Sequence, residues 1–219
     1  MTHWFDSSYC ESKTSRQSIS SVLIGRCYKH MEYTNKTIYD PDVRIDSCTK
    51  EFTLEEDFNM NVKQEVSVKK ITKDAEDYFR GGFFCCEAVM ASIRDNFELD
   101  VPKEVIAMSS GMAVGAGRSG CMCGALNGGI LALGLFFGRT EQNGPKDPKV
   151  VKCMGLVNEL HSWFKAANKK NSVCCRVLTK EFDMGKGEHK EQCIHYTGLC
   201  AGKVAEIVVR ELGLKNTDE

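Results

Sequence analysis

The chain of 219 residues carries twelve cysteines, a large stock of one reactive side chain. Nine of them follow residue 70: Cys85-Cys86, Cys121-Met122-Cys123, Cys174-Cys175 and Cys193, with Cys153 and Cys200 alone. Thiolates offer three kinds of chemistry. They ligate zinc, they hold iron–sulfur clusters, and in pairs they cycle between dithiol and disulfide. Successive helical residues point about 100° apart, so one member of an adjacent pair can face a site while the other packs as a small hydrophobe. Cys10, Cys27 and Cys48 have neither the close spacing nor the histidine partners of a zinc module and read as scattered thiols.

The stretch GAGRSGCMCGALNGG (residues 115–129) joins two messages. Gly115, Gly117 and Gly120 fit G-x-G-x-x-G, the pattern of a dinucleotide site. That site needs a strand before it, a helix after it and a second strand ending in an acid about twenty residues on. The preceding PKEVIAMSSGMAV begins like a helix, and FFGRTEQNGP downstream, which contains Glu141, reads as a helix end and a turn. The glycines are better spent on close backbone approach, with Ala125, Gly128 or Gly129, and Ala132 at helical spacing. The loop then delivers Cys123 to a helix start, where the dipole favours a thiolate.

The elements that must position these thiols are helical. Thr72 can cap a helix whose apolar face runs through Ala75, Phe79, Phe83, Cys86, Met90, Ile93 and Phe97. Cys86 is central on that stripe and Cys85 at its edge. Pro102 suits the first turn of a second helix through Val105, Ala107 and Met108. A third is expected over residues 120–137 and a fourth over 148–168, with Val150, Met154, Val157, Leu160 and Phe164 inward. A short fifth covers 174–179. A last one, over 189–212, has Cys193, Tyr196, Cys200, Val204, Ile207 and Val208 on one face. The expected fold is all-α, a compact bundle of five or six helices over residues 71–214. Residues 1–70 differ in composition: Ala75 is the first alanine and Gly25 the only glycine before residue 70. They read as an irregular extension of unassigned role, with short runs at 21–25 and 39–46 that suit strands or loops.

The formal net charge of −1 gives no field favouring nucleic acid or a membrane surface. No apolar run opens the chain, so a secretory signal is not expected, and cytoplasmic, reducing surroundings make structural disulfides the last choice for the cysteines. The uncharged stretch 119–138 has the length of a membrane span, but six glycines and Asn127 dilute it, and a packed core helix is expected. His161 lies near its helix's apolar stripe and His195 points away from Cys193, so neither is expected to be a ligand. Arg118 and Arg176 neighbour the cysteines and could lower a thiol pKa or offset a cluster's charge. No other catalytic motif is present.

The motifs together resemble the bacterial family of redox-active proteins named for the cysteine signature C…GCAxxG…C…C. Cys123-Gly124-Ala125-Leu126-Asn127-Gly128 is similar to its central C-G-A-x-x-G. Upstream, AEDYFRGGFFCCEAVMAS (residues 75–92) matches an aromatic and glycine-rich approach to C-x-E-A-V and places the family cysteine at Cys85. Cys175-Arg176-Val177-Leu178 resembles the C-R-x-L motif, and Cys193 heads the last helix. The resemblance spans residues 72–214. Cys86, Cys121 and Cys174 double three of the positions, so the register of each assignment stays open.

The resemblance implies a redox role for Cys85, Cys123, Cys175 and Cys193 as metal or cofactor ligands, and relatives of the split-Soret cytochrome type imply that an iron–sulfur centre fits the domain. Four cysteines on four elements suit an iron–sulfur cluster and electron transfer. Zinc more often takes two ligands from one tight turn, and a metal-free dithiol–disulfide pair is the third choice. Covalent haem is not expected, because C-x-x-C-H is missing. The expected partner is a redox protein, with neither nucleic acid nor membrane; a homodimer is compatible with the pattern.

Overall fold

The computed structural model describes residues 61–218. Cys10, Cys27, Cys48 and the runs at 21–25 and 39–46 lie outside the described residues. Among the described residues the fold is all-α apart from one two-stranded parallel sheet. Its helices are α1 (Val68–Arg80), α2 (Cys85–Asn96), α3 (Glu104–Ala107), α4 (Gly124–Phe137), α5 (Pro148–Ala167), α6 (Cys175–Leu178) and α7 (Lys190–Leu212). The strands β1 (Glu65–Val66) and β2 (Lys215–Asn216) bring the two ends of the helical region together.

The single helix expected from Thr72 to Phe97 is two helices. Ser67, not Thr72, caps α1, its side chain accepting from the Lys70 N–H at 2.9 Å. Thr72 sits inside α1 and donates back to the Val68 carbonyl. The break falls at Gly81-Gly82, where Gly82 takes φ +117°, a value that ends a right-handed helix. Periodicity ran through the break because Ala75 in α1 and Cys86, Met90 and Ile93 in α2 are all buried, although Phe83, between the helices, is exposed. The chain re-enters helix at Phe84, whose N–H donates to the Glu87 carboxylate at 2.7 Å.

Helix α4 carries the uncharged stretch. Ten of its residues are buried, and it packs against α2, α5 and α7. At 14 residues it spans about 21 Å, short of a bilayer core. Among the described residues no helix is long and apolar enough to cross a membrane. Helix α7 packs against α1, α2, α4 and α5, presenting Cys200, Val204, Ile207 and Val208 to the core. Edge-to-face aromatic pairs Phe97–Phe136 and Phe164–Tyr196 fill the bundle, with centroids 5.2 and 5.5 Å apart. Val62 and Val66, upstream of α1, belong to the same core.

Candidate metal centre

Each of the four cysteines singled out from the sequence stands at or near a helix start. Cys85 is the first residue of α2, Cys123 the N-cap of α4, Cys175 the first residue of α6, and Cys193 lies in the first turn of α7. All four line one cavity of about 480 Å³. Its wall also holds Phe79, Phe83, Phe84, Met184 and His189. First-turn residues of the three long helices α2, α4 and α7 therefore surround the same space. The dipoles of these helix starts make it favourable for negative charge.

Two pieces of backbone hold the parts in register. The segment around Cys121–Cys123 pairs with the one around Val173–Cys175 in an antiparallel bridge, Met122 opposite Cys174. The Cys123 N–H donates to the Val173 carbonyl at 2.8 Å, and the Arg176 N–H to the Gly120 carbonyl at 3.0 Å. Before it, residues 114–118 all have positive φ, forming a left-handed turn that includes Val114, Ala116 and Arg118. Non-glycine residues cost about 1–2 kcal/mol each in that conformation. The bridge and the Arg176 guanidinium, which donates to the Ser119 carbonyl at 2.7 Å, hold this loop in place. Arg176 is thus a brace for the loop. Arg118 stands exposed in the left-handed turn. The cavity wall takes its cations from Arg80 and Lys190. G-x-G-x-x-G here is this loop; it follows a 3-10 turn, Ser110–Met112, with no strand before it.

The motif C-G-A-x-x-G has a steric meaning. A Cβ on Gly124 would collide with the Cys85 sulfur, so glycine there leaves room for that thiol. A Cβ on Gly128 would lie 2.7 Å from the Cys86 carbonyl oxygen and 2.9 Å from its Cα, so α2 and α4 touch backbone to backbone. Ala125 between them is fully buried. The companion motif C-x-E fits as well: Glu87 caps the helix that carries Cys85 and also accepts from the Ser110 hydroxyl.

Each adjacent pair contributes one cysteine to the wall. Cys86 is fully buried, and its thiol donates to the Ser109 carbonyl at 3.1 Å. Cys121 is exposed. Cys174 donates to the Gly120 carbonyl at 3.3 Å. Cys200 is packed in the core and Cys153 is half-buried beside the Leu133 carbonyl. All nine cysteines among the described residues are free thiols.

The expected low pKa of Cys123 is reversed. Burial pushes its thiol up to about 11, outweighing the amides of Leu126 and Ala125 that point at it. Burial, and then the charges of Cys123 and Cys175, push Cys193 up to about 12. Burial also raises Cys175. Cys85 is raised by its hydrogen bond to the Cys86 sulfur, by burial and by the charges of Cys123 and Cys193. The sulfurs thus feel one another's charge. Yet among the described residues no three of His, Cys, Asp or Glu are grouped as a single metal ion requires.

Sequence reasoning passed over His189. It precedes α7, lies one helical turn before Cys193 and lines the cavity. Its Nδ1 is sealed from solvent without a hydrogen-bond partner, a state that costs about 1–3 kcal/mol. The H-x-x-x-C spacing was the available signal, since residues four apart share a helix face. His195 is exposed and His161 half-buried on α5; neither lines the cavity.

Residues 83–207 match the model of the family described as "Putative redox-active protein (C_GCAxxG_C_C)". The chain belongs to this family. Cys85, Cys123, Cys175 and Cys193 on the cavity wall, and Gly124 and Gly128 at the α2–α4 contact, all lie within the matched residues. Among solved structures the fold is similar to the split-Soret cytochrome c of Desulfovibrio desulfuricans ATCC 27774, a protein described with a novel iron centre. The TM-score is 0.52 at 23% identity, covering 70% of this chain and 74% of the cytochrome. At that identity the likeness is one of fold. No curated protein matches the chain in sequence.

Proposed function

We propose that the cavity holds an iron–sulfur cluster ligated by Cys85, Cys123, Cys175 and Cys193, and that the protein transfers electrons through it. The observation that carries the reading is four thiols on four helix starts around one cavity. A tetrahedral zinc site sets its sulfurs about 3.8 Å apart, from Zn–S bonds of about 2.3 Å. A cluster takes its ligands on different irons and tolerates a wider spread. The helix starts favour the negative charge that thiolates and sulfide bring. The iron centre named for the cytochrome of like fold supports the same choice.

The donor set fits such a group. A cluster supplies one-electron chemistry; the chain's residues do the rest. The four cysteines hold it. Phe83, Phe84 and Met184 give the solvent-exposed part of the wall an apolar surface. The amides at the starts of α2, α4 and α7 favour its charge. Dithiol exchange suits these thiols less well. With Cys123 near 11, about one part in 10⁴ is thiolate at pH 7, and the thiolate is the nucleophile. Anaerobic reconstitution tests the proposal. Iron and acid-labile sulfide in comparable amounts, broad visible absorption and an EPR signal on reduction support it. Zinc at one per chain, or a metal-free protein with a titratable disulfide, overturns it.

A further inference from the structure

Beside the four cysteines, the cavity wall holds a histidine, His189. His189 directly precedes α7, and the Cys193 N–H donates to its carbonyl at 3.0 Å, so the two residues share one helix face a turn apart. Among the described residues, His189 Nδ1 is the buried side-chain nitrogen or oxygen left with no partner. The neighbours on the wall include Thr179, Lys190 and Glu191, and none of them bonds to it. Buried polar groups in folded proteins are satisfied with few exceptions, and an exception beside a site points to a missing partner. A group bound in the cavity would supply the partner that the protein itself does not provide. Sulfur in such a group accepts hydrogen bonds, and donors to it stabilise the reduced, more negative state.

We infer that His189 is a positioning residue for the centre: its imidazole N–H donates a hydrogen bond to a sulfur of the cluster and raises the reduction potential. This rests on the cluster reading above. The four cysteines remain the ligands, so loss of the imidazole leaves the metal in place and changes its electronics.

The test uses the full chain, reconstituted anaerobically with iron and sulfide, as wild type, His189→Ala and His189→Gln. Iron and sulfide per chain are measured first, then the midpoint potential by redox titration. Pulsed EPR of reduced wild type carrying ¹⁵N-histidine gives a second readout that needs no variant to fold. The expected result is full iron in all three proteins. At the wild-type midpoint, the reduced-to-oxidised ratio of His189→Ala falls about tenfold, which is 59 mV for one electron. Glutamine, which keeps an N–H donor, recovers most of the shift. The wild type shows a weak histidine nitrogen coupling. An unchanged potential in iron-loaded His189→Ala overturns the inference, as does the absence of any histidine coupling. A strong coupling with iron loss in His189→Ala makes the residue a ligand and overturns it too. A wild type that takes up no iron overturns the cluster reading as well, whereas iron-loaded wild type with an indifferent His189 overturns this inference alone.

Discussion

Alanine at position 124 places a methyl group where the Cys85 sulfur stands. The structure allows two responses: α2 and α4 separate, or Cys85 turns to another rotamer. Separation is costly, because α2 already meets the backbone of α4 at Gly128, and Ala88, Val89 and Ala91 behind it are buried at 1% exposure or less. Forcing such a core apart costs about 1–3 kcal/mol. A cysteine rotamer change costs on the order of 1 kcal/mol, and alanine recovers up to about 1 kcal/mol of helix propensity over glycine. Rotation therefore wins, and stability changes by no more than about 1 kcal/mol, or about 2–4 °C in melting temperature. The sulfur, however, swings by about 3 Å between staggered rotamers. Metal–ligand bonds tolerate about 0.2 Å. Gly124→Ala should thus melt almost normally without metal and lose most of its iron. Gly128→Ala is the contrast: its methyl meets backbone, which cannot rotate away, so it should lose about 1–3 kcal/mol while its cysteines still face the cavity. Iron and sulfide per chain, measured beside the thermal melt of the metal-free protein, separate the two. A Gly124→Ala protein with wild-type iron refutes Cys85 as a ligand. One that melts as low as Gly128→Ala shows that the backbone, not the side chain, gave way.

The adjacent cysteines supply a second test: Cys86→Ala and Cys200→Ala, both fully buried, should each cost about 1 kcal/mol and keep iron, whereas Cys85→Ala and Cys193→Ala should lose it. Retention of iron by Cys85→Ala with its loss in Cys86→Ala would shift the register by one. Because burial holds Cys123 near 11 and Cys193 near 12 and raises Cys175, and the hydrogen bond to Cys86 together with burial raises Cys85, metal loading at neutral pH should release about four protons per chain, read with an indicator dye in weak buffer. Release near zero would show thiolates already present. The same raised values favour the folded metal-free protein below the unfolded thiol pKa of about 8.5, and the benefit is lost as pH climbs toward 11–12. The metal-free melting temperature should therefore fall between pH 8 and pH 10; a rise contradicts the burial argument. Finally, a chain starting at residue 61 should be more stable than one starting at Ser67, since the latter lacks Val62, Val66 and the β1–β2 pairing. Burying two valines is worth about 3–6 kcal/mol, and equal denaturation midpoints would place them outside the cooperative core.

The helices were legible in the sequence because their cause is local. Apolar residues at helical spacing mark α5 and α7 from the sequence alone, and Pro148 after Asp147 marks the start of α5 within a residue, but Met154, expected inward, is exposed while Leu156 is buried. Four cysteine motifs in order pointed to the family, because motif order survives where individual positions do not. The break at Gly81-Gly82 was hidden, since one apolar stripe serves two helices when both bury the same side.

What the order of residues could not decide was which sulfur faces the cavity. Cys85 and Cys86 are chemically identical neighbours, and only the contact of Gly124 with one and of the Ser109 carbonyl with the other separates them. The Cys123 thiol illustrates the same division. Its place at a helix start follows from the local pattern and argues for a lowered pKa. Its burial depends on segments more than fifty residues apart closing over it, and that desolvation outweighs the helix start. Sequence alone determined most of the elements and which residue types they bring, because propensity and periodicity act within a few turns. The tertiary structure decided which thiols share a space, how dry that space is and that His189 borders it, because solvent exclusion and close packing exist only once distant segments meet.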